Sequence, residues 1–294
     1  MTDFLKSDKS GYMACLMVML IWVFWLIVSR VGATSSLTVY DLAAMRYGIS
    51  AVVSLPFVIY FKAWNSLPAK RAVVLSIVLG PLYIITVFSG FIYAPAAHGG
   101  IFMNGLMPIF TIVIAWVLLS TAIELRKVLG AICIIISATF LGLNTSNLNL
   151  TQSWLGDIFF TLGGLFFAVF VTLSRLWDIK TIDILFCGSI LNAMIYLPLW
   201  YLFLPTGFGT TDSSIILLQG VYQGLIPNLI GLVLIAHASR TVGADVTAAF
   251  MATVPGFGAI LGVVLLSEQM TFGDSIATLG ITLGLFLIAV RGKN

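Results

Sequence analysis

The sequence predicts an all-α integral membrane protein of ten transmembrane helices, arranged as two inverted five-helix repeats. Three observations carry that prediction: ten apolar spans of membrane length, a one-sided distribution of basic residues, and a five-span pattern that occurs twice. The spans run over residues 11–29, 39–61, 72–92, 96–119, 127–144, 155–176, 182–203, 214–237, 243–266 and 273–291. Each comes near the ~20 residues that a ~30 Å hydrocarbon core demands. Composition agrees, because 60% hydrophobic and 9% charged residues, with a mean hydropathy of +1.12, leave too few polar side chains to coat a water-soluble globule of 294 residues. The longest connections, 62–71, 145–154 and 204–213, hold about ten residues each. They are too short for a nucleotide-binding or ligand-binding domain, and no GxxxxGK[ST] motif is present.

Charge sets the orientation. Lys6, Lys9, Lys62, Lys70, Arg71, Arg126, Lys127, Arg175, Lys180, Arg240, Arg291 and Lys293 fall at the two termini and on the even-numbered connections. The other side keeps only Arg30 and the partly embedded Arg46. The positive-inside rule therefore predicts that both termini face the cytoplasm. The net charge of +3 suits anionic lipid headgroups and carries no message about nucleic acid. The first span is preceded by Lys6 and Lys9, lacks a small-residue cleavage site and is followed by Arg30, so it reads as a retained helix. Cys15, Cys133 and Cys187 lie inside spans without ligand-like spacing, which supports neither a disulfide framework nor a metal site. Nothing in the composition asks for a cofactor.

The repeat emerges from self-comparison, which divides the chain into 1–147 and 154–294. Gly11 and Ser29-Arg30 meet Gly156 and Ser174-Arg175 at an offset of 145. Asp41 and Leu55-Pro56 meet Asp183 and Leu197-Pro198 at 142, and Pro108 with Leu118-Leu119-Ser120 meets Pro255 with Leu265-Leu266-Ser267 at 147. Five spans per half is an odd number, so the second half must cross the membrane in the opposite sense, as in carriers that work by alternating access.

These features together resemble the EamA type of the drug/metabolite transporter superfamily. The likeness rests on residues 21–30, Ile-Trp-Val-Phe-Trp-Leu-Ile-Val-Ser-Arg; on 94–119, where Ala-Pro-Ala-Ala enters a span carrying Pro108; and on 243–268, Gly-Ala-Asp-Val-Thr-Ala-Ala running to Pro255 and Leu-Leu-Ser-Glu268. The first-half position matching Glu268 is Thr121. The resemblance implies a bacterial inner-membrane carrier with a central cavity lined by spans 1, 3 and 4 and by spans 6, 8 and 9.

Periodicity nominates the lining. Trp22 and Trp25 share a face of span 1 with Ser29, and the repeat carries them onto Phe167 and Phe170 of span 6. Such aromatic stripes hold apolar or cationic groups, and they also fill helix interfaces in any membrane protein. Polar residues inside spans are the sharper signal, because lipid offers them no partner. Span 8 carries Tyr222 and Gln223 after Gln219, then Pro227 and Asn228; span 3 offers Tyr83 and Thr86 after Pro81; span 4 offers His98 and Asn104 before Pro108. Interhelical hydrogen bonding competes with a lining role at each of them. His98 and Asp245 occupy matched first-turn positions of spans 4 and 9, one a candidate proton relay or cap, the other a helix-start acceptor. Asp41, Arg46 and Asp183 lie near helix ends, where pairing or snorkelling accounts for them.

The resulting expectation is a secondary transporter exporting a small metabolite, an amino acid or related amphipathic solute. The alternative within the superfamily is a drug or toxic-cation efflux carrier. A membrane-embedded enzyme would need clustered nucleophile, base or metal ligands, whereas the two His are distant in sequence and neither HExxH nor GxSxG occurs. A channel would be separated from a carrier by saturation and counterflow. Expected partners are the solute and membrane lipid, with monomer and homodimer both open.

Overall fold

The computed structural model describes residues 7–144 and 152–290. Lys6, Arg291 and Lys293, and the expected repeat limits at 1, 147 and 294, lie outside the described residues. Ten helices are long and apolar enough to cross a membrane: α1 (Asp8–Ala33), α2 (Val39–Tyr60), α3 (Ala69–Tyr93), α4 (Ala96–Leu119), α5 (Leu125–Leu143), α6 (Ser153–Leu176), α7 (Thr181–Phe203), α8 (Ser213–Thr241), α9 (Ala244–Leu266) and α10 (Phe272–Ala289). An even number of crossings returns the chain to the face on which it entered. That face, the terminal face, carries the ends of α2, α4, α6 and α8; the opposite face is called distal.

Capping chemistry starts several helices. Thr38 Oγ1 accepts from Asp41 N at 3.1 Å while Asp41 Oδ2 accepts from Thr38 N at 2.9 Å, and Thr271 and Asp274 repeat the arrangement at α10 with 3.1 and 2.7 Å. Asp183, matched to Asp41 by the repeat, accepts from Lys180 N at 2.9 Å at the start of α7. Asp41 also accepts from Trp200 Nε1 at 2.9 Å and Gly207 N at 2.8 Å. The expectation that Asp41 and Arg46 both belong to helix ends therefore holds for Asp41 alone. Arg46 lies in the body of α2, with no ion pair to Asp41.

The helix ends carry the repeat as well. Ser120 and Ser267, matched at offset 147, terminate α4 and α9 with φ of 51° and 55°, the left-handed conformation that closes a helix and normally favours glycine. Both α3 and α8 loosen midway into a π-turn that contains proline, Val78–Leu82 with Pro81 and Ile226–Gly231 with Pro227. Further π-turns interrupt α4 at Gly99–Gly105 and α7 at Phe186–Leu191.

Packing obeys the same exchange. α3 lies on α6 and α8 on α1; α4 lies on α6 and α9 on α1; α2 meets α7, and α5 meets α10. Exchanging the repeats converts each of these pairs into another or into itself. Small residues let the crossings close. A Cβ on Gly156 of α6 would lie 2.4 Å from Ala94 Cβ on the distal face, and one on Gly11 of α1 would lie 3.0 Å from Thr241 Cβ on the terminal face. These are one crossing seen twice, inverted. Gly280 and Gly284 of α10 form a GxxxG face, and a Cβ on Gly284 would lie 2.7 Å from Gly130 O of α5.

Gly156→Leu should lower the melting temperature of the detergent-solubilised protein by overpacking this crossing, at a cost of about 1–3 kcal/mol. Ser267→Gly, which removes a Cβ from a left-handed residue, should leave it unchanged or raise it. A Gly156→Leu protein as stable as its parent contradicts the close crossing.

Candidate functional site

Three polar constellations occupy the interior. The first is a seam between α1 and α8. Trp25 Nε1 donates to Gln223 Oε1 at 2.9 Å, and Gln223 Nε2 donates to Ser29 Oγ at 3.1 Å and Gln219 Oε1 at 3.3 Å. Gln219 Nε2 in turn donates to Val28 O at 2.7 Å, and Tyr222 OH to Ile21 O at 2.7 Å. Both glutamines are fully buried. The polar stripe of α8 is thus satisfied by α1 in this conformation. Trp22, half-buried on the same helix, packs its ring against Gly231 in the α8 π-turn.

The second constellation closes the distal face. Glu268, just beyond α9, pairs with Arg30 Nε at 3.4 Å and accepts from Ala96 N at 3.0 and 3.1 Å through its two oxygens. Arg30 Nη1 also donates to Phe91 O and, at 3.3 Å, to Ile92 O. One carboxylate and one guanidinium therefore join α1, α3, α4 and α9. Beside them His98 Nδ1 meets Asp157 Oδ1 of α6 at 2.7 Å, and both groups are buried. Asp157 was missed by sequence reasoning. Its signal was available: it is a carboxylate inside an apolar span, where a partner or a function is the default expectation. The terminal face lacks this latch. Thr121 stands where Glu268 stands, and Arg175, the match of Arg30, is exposed and makes no ion pair among the described residues.

The third constellation is a recess between α2, α3, α7 and α8, lined by Arg46, Tyr47, Leu79, Ile184, Leu185, Gly188, Ser189 and Asn228. The α3 break fits closely here, because a Cβ on Gly80 would lie 2.4 Å from Asn192 Oδ1 of α7. Asn228 Nδ2 donates to Ser50 Oγ at 3.0 Å, and Ser50 Oγ to Gly224 O at 2.5 Å, which ties the α8 break to α2. Tyr47 stacks edge-on against Tyr196 at 5.3 Å. Arg46 and Tyr47 line this recess together, and Tyr83 sits one turn beyond the lining residue Leu79 on α3. Tyr83 OH points to Met103 Sδ at 3.7 Å, and its ring meets Phe167 at 5.2 Å, which meets Phe170 at 5.8 Å.

The sequence-nominated residues therefore divide among these places. Tyr83, Phe167 and Phe170 form one aromatic cluster one turn along α3 from the recess wall, and Asn228 lines the Arg46 recess. Trp25, Tyr222 and Gln223 join the α1–α8 seam, and His98 joins the distal latch. Thr86 donates to the carbonyls of Leu82 and Tyr83 at 2.6 and 2.8 Å, one turn back on its own helix just after the α3 break. Asn104 Nδ2, in the α4 π-turn, is buried without a partner among the described residues.

Comparison with known proteins fits this architecture. The model of the EamA-like transporter family matches residues 9–143 and 154–290, one match per five-helix unit. The chain belongs to the EamA-like transporter family, within the drug/metabolite transporter superfamily, and is a multi-pass membrane protein. Chains of known structure also match, 17 in all. One, titled only "Crystal structure of protein", superposes with a TM-score of 0.65 at 18% identity over 95% of this chain and 96% of that chain, a likeness of fold. No curated protein matches.

The seam yields a coupling prediction. Gln223→Leu strands Trp25 Nε1 and should destabilise the fold by about 1–3 kcal/mol. Trp25→Phe combined with Gln223→Leu should cost less than the two single changes added, because the partner lost in each is the same. Additive effects in a double-mutant cycle of thermal or denaturant stability contradict the bond.

Proposed function

We propose that the protein is a secondary carrier that exports a small metabolite, an amino acid or related amphipathic solute, across the bacterial inner membrane by alternating access. The observation that carries this reading is the unequal closure of two equivalent faces. The repeats present matching helix ends on both sides of the membrane, yet among the described residues the Arg30–Glu268–Ala96 latch is found on the distal side alone, with Thr121 in the place of Glu268 on the other. A fold with two interchangeable ends and a lock on one of them has the ingredients of a two-state switch. Proline-containing π-turns midway along α3 and α8 supply the joints about which the two halves of each helix rearrange.

The basic residues of the terminal face support its being cytoplasmic, which makes the latched face external and the conformation closed to the outside. Solute would then enter from the cytoplasm. The aromatic cluster of Tyr83, Phe167 and Phe170 supports an amphipathic cargo with an apolar body. The same cluster favours the second reading, efflux of an organic cation held over π faces. Membrane lipid is the surrounding partner under either reading.

Two measurements test the proposal. In a cysteine-free background, Thr210→Cys should be labelled by an impermeant maleimide from outside intact cells, and Asn65→Cys should not; the reverse pattern overturns the orientation. In proteoliposomes, saturable counterflow of a labelled amphipathic amino acid such as L-phenylalanine is expected. Non-saturable flux without counterflow would point to a channel and refute a carrier.

A further inference from the structure

We propose that Arg46 is the anchor for a carboxylate on the transported solute, seated in the recess between α2, α3, α7 and α8. The inference rests on the carrier reading above and goes further by naming the charge of the cargo. Arg46 lies within a membrane span, where a guanidinium keeps its charge and lipid offers nothing to balance it. Its Nη1 is buried and has no hydrogen-bond partner among the described residues, and neither has the neighbouring Tyr47 hydroxyl. None of the ion pairs among the described residues includes Arg46. The acidic groups on the adjoining helices are already engaged. Asp41 receives Thr38 N, Trp200 Nε1 and Gly207 N, and Asp183 receives Lys180 N and the Ser66 hydroxyl. The site is thus a fixed positive charge in a recess lined also by Tyr47, Ser189 and Asn228, with Leu79, Ile184 and Leu185 as its apolar wall.

Its place in the fold matters equally. Exchange of the repeats interconverts α2 with α7 and α3 with α8, so the four helices around the recess surround the axis that relates the two halves. That is where a solute can be reached from either side by the same rocking motion. The repeat offset of 142 that joins Asp41 to Asp183 carries Arg46 onto Gly188, which lines the same recess. One half contributes the cation, and the other a glycine at the matched position, where an added Cβ would meet Leu79 Cδ2 at 3.4 Å. A single guanidinium balances a single negative charge, and the recess is narrow, both of which favour a carboxylate over a dianionic phosphate. The aromatic cluster of Tyr83 with Phe167, one helical turn along α3 from Leu79 in the recess wall, would receive the apolar body of the same molecule.

The test compares isosteres of opposite charge state on the full-length purified protein. Ligand-induced thermal shifts are measured for 3-phenylpropionate, 3-phenylpropionamide, L-phenylalanine, L-phenylalanine amide and phenethylamine. The acids should bind at least about tenfold tighter than their amides. Arg46→Gln should bring that ratio to near one, and Arg46→Lys should restore part of it. Arg46→Met, which removes an unbalanced charge, should leave the ligand-free melting temperature unchanged or raise it. An acid preference that survives Arg46→Gln, the lack of any acid-induced shift, or a lowered melting temperature for Arg46→Met overturns the assignment. A shift produced by dioleoyl phosphatidylglycerol and by none of the acids would give Arg46 to a lipid headgroup instead. Counterflow of phenethylamine with none for the acids would leave the carrier standing and remove only the carboxylate. Lack of counterflow by every probe, with acid binding intact, would do the opposite.

Discussion

Inside a bilayer no water reaches a stray polar group, so every donor and acceptor at membrane depth must find a partner within the protein. This constraint explains much of the molecule. It is why the Asp41 carboxylate collects three donors, from the α2 N-cap, from α7 and from the loop after α7, and why Gln219 and Gln223 bridge α8 to α1. It is why the Thr86 hydroxyl folds back onto the Leu82 and Tyr83 carbonyls of its own helix. The groups left over then become informative. Four buried side-chain atoms lack a partner among the described residues: Arg46 Nη1, Tyr47 OH, Asn104 Nδ2 and Ser174 Oγ. Two of them line the same recess, which lies on the axis relating the halves.

Symmetry and its breaking form the second thread. The Gly156–Ala94 and Gly11–Thr241 crossings, and the left-handed serines at 120 and 267, show one five-helix unit used in two orientations. Equal halves imply two equally good closed faces, one on each side of the membrane. Sequence differences bias that balance. In the proposed carrier, Glu268 against Thr121 holds the distal face, and Arg46 against Gly188 leaves the centre with one cation and not two. In a two-state carrier such differences set which side is open at rest and what must bind before the equilibrium moves.

The ten helices and their duplication were legible in the sequence for a simple reason. Hydropathy and charge are local quantities, and the offsets of 142, 145 and 147 are preserved by residues with fixed backbone duties, such as Asp41, Pro108 and Ser120. The span limits read from hydropathy fall within a few residues of the helices, missing mainly the ends that continue past the hydrocarbon, as α8 does to Thr241. The site was less legible. Helical periodicity tells which residues share a face, and Trp25 and Gln223 were found that way, but it does not say that these two faces meet each other. Neither Asp157, as partner to His98, nor Arg46, as a cation without one, can be recognised along the chain. Each is defined by which side chain from a distant helix arrives beside it. Arg46 appeared near enough to Asp41 for pairing to explain it, and only the capping and loop donors that occupy Asp41 remove that explanation.

The central claim is that the Arg30–Glu268 latch holds the distal face shut while the two repeats remain able to exchange. Spin labels at Ser36 and Gln269, both exposed on the distal face, allow pulsed dipolar spectroscopy to read that closure directly. The account predicts one short distance population for the parent protein in nanodiscs, and a second, longer population when Glu268→Gln removes the charge from the latch. An unchanged distance distribution in the Glu268→Gln protein, with its fold intact, would contradict it.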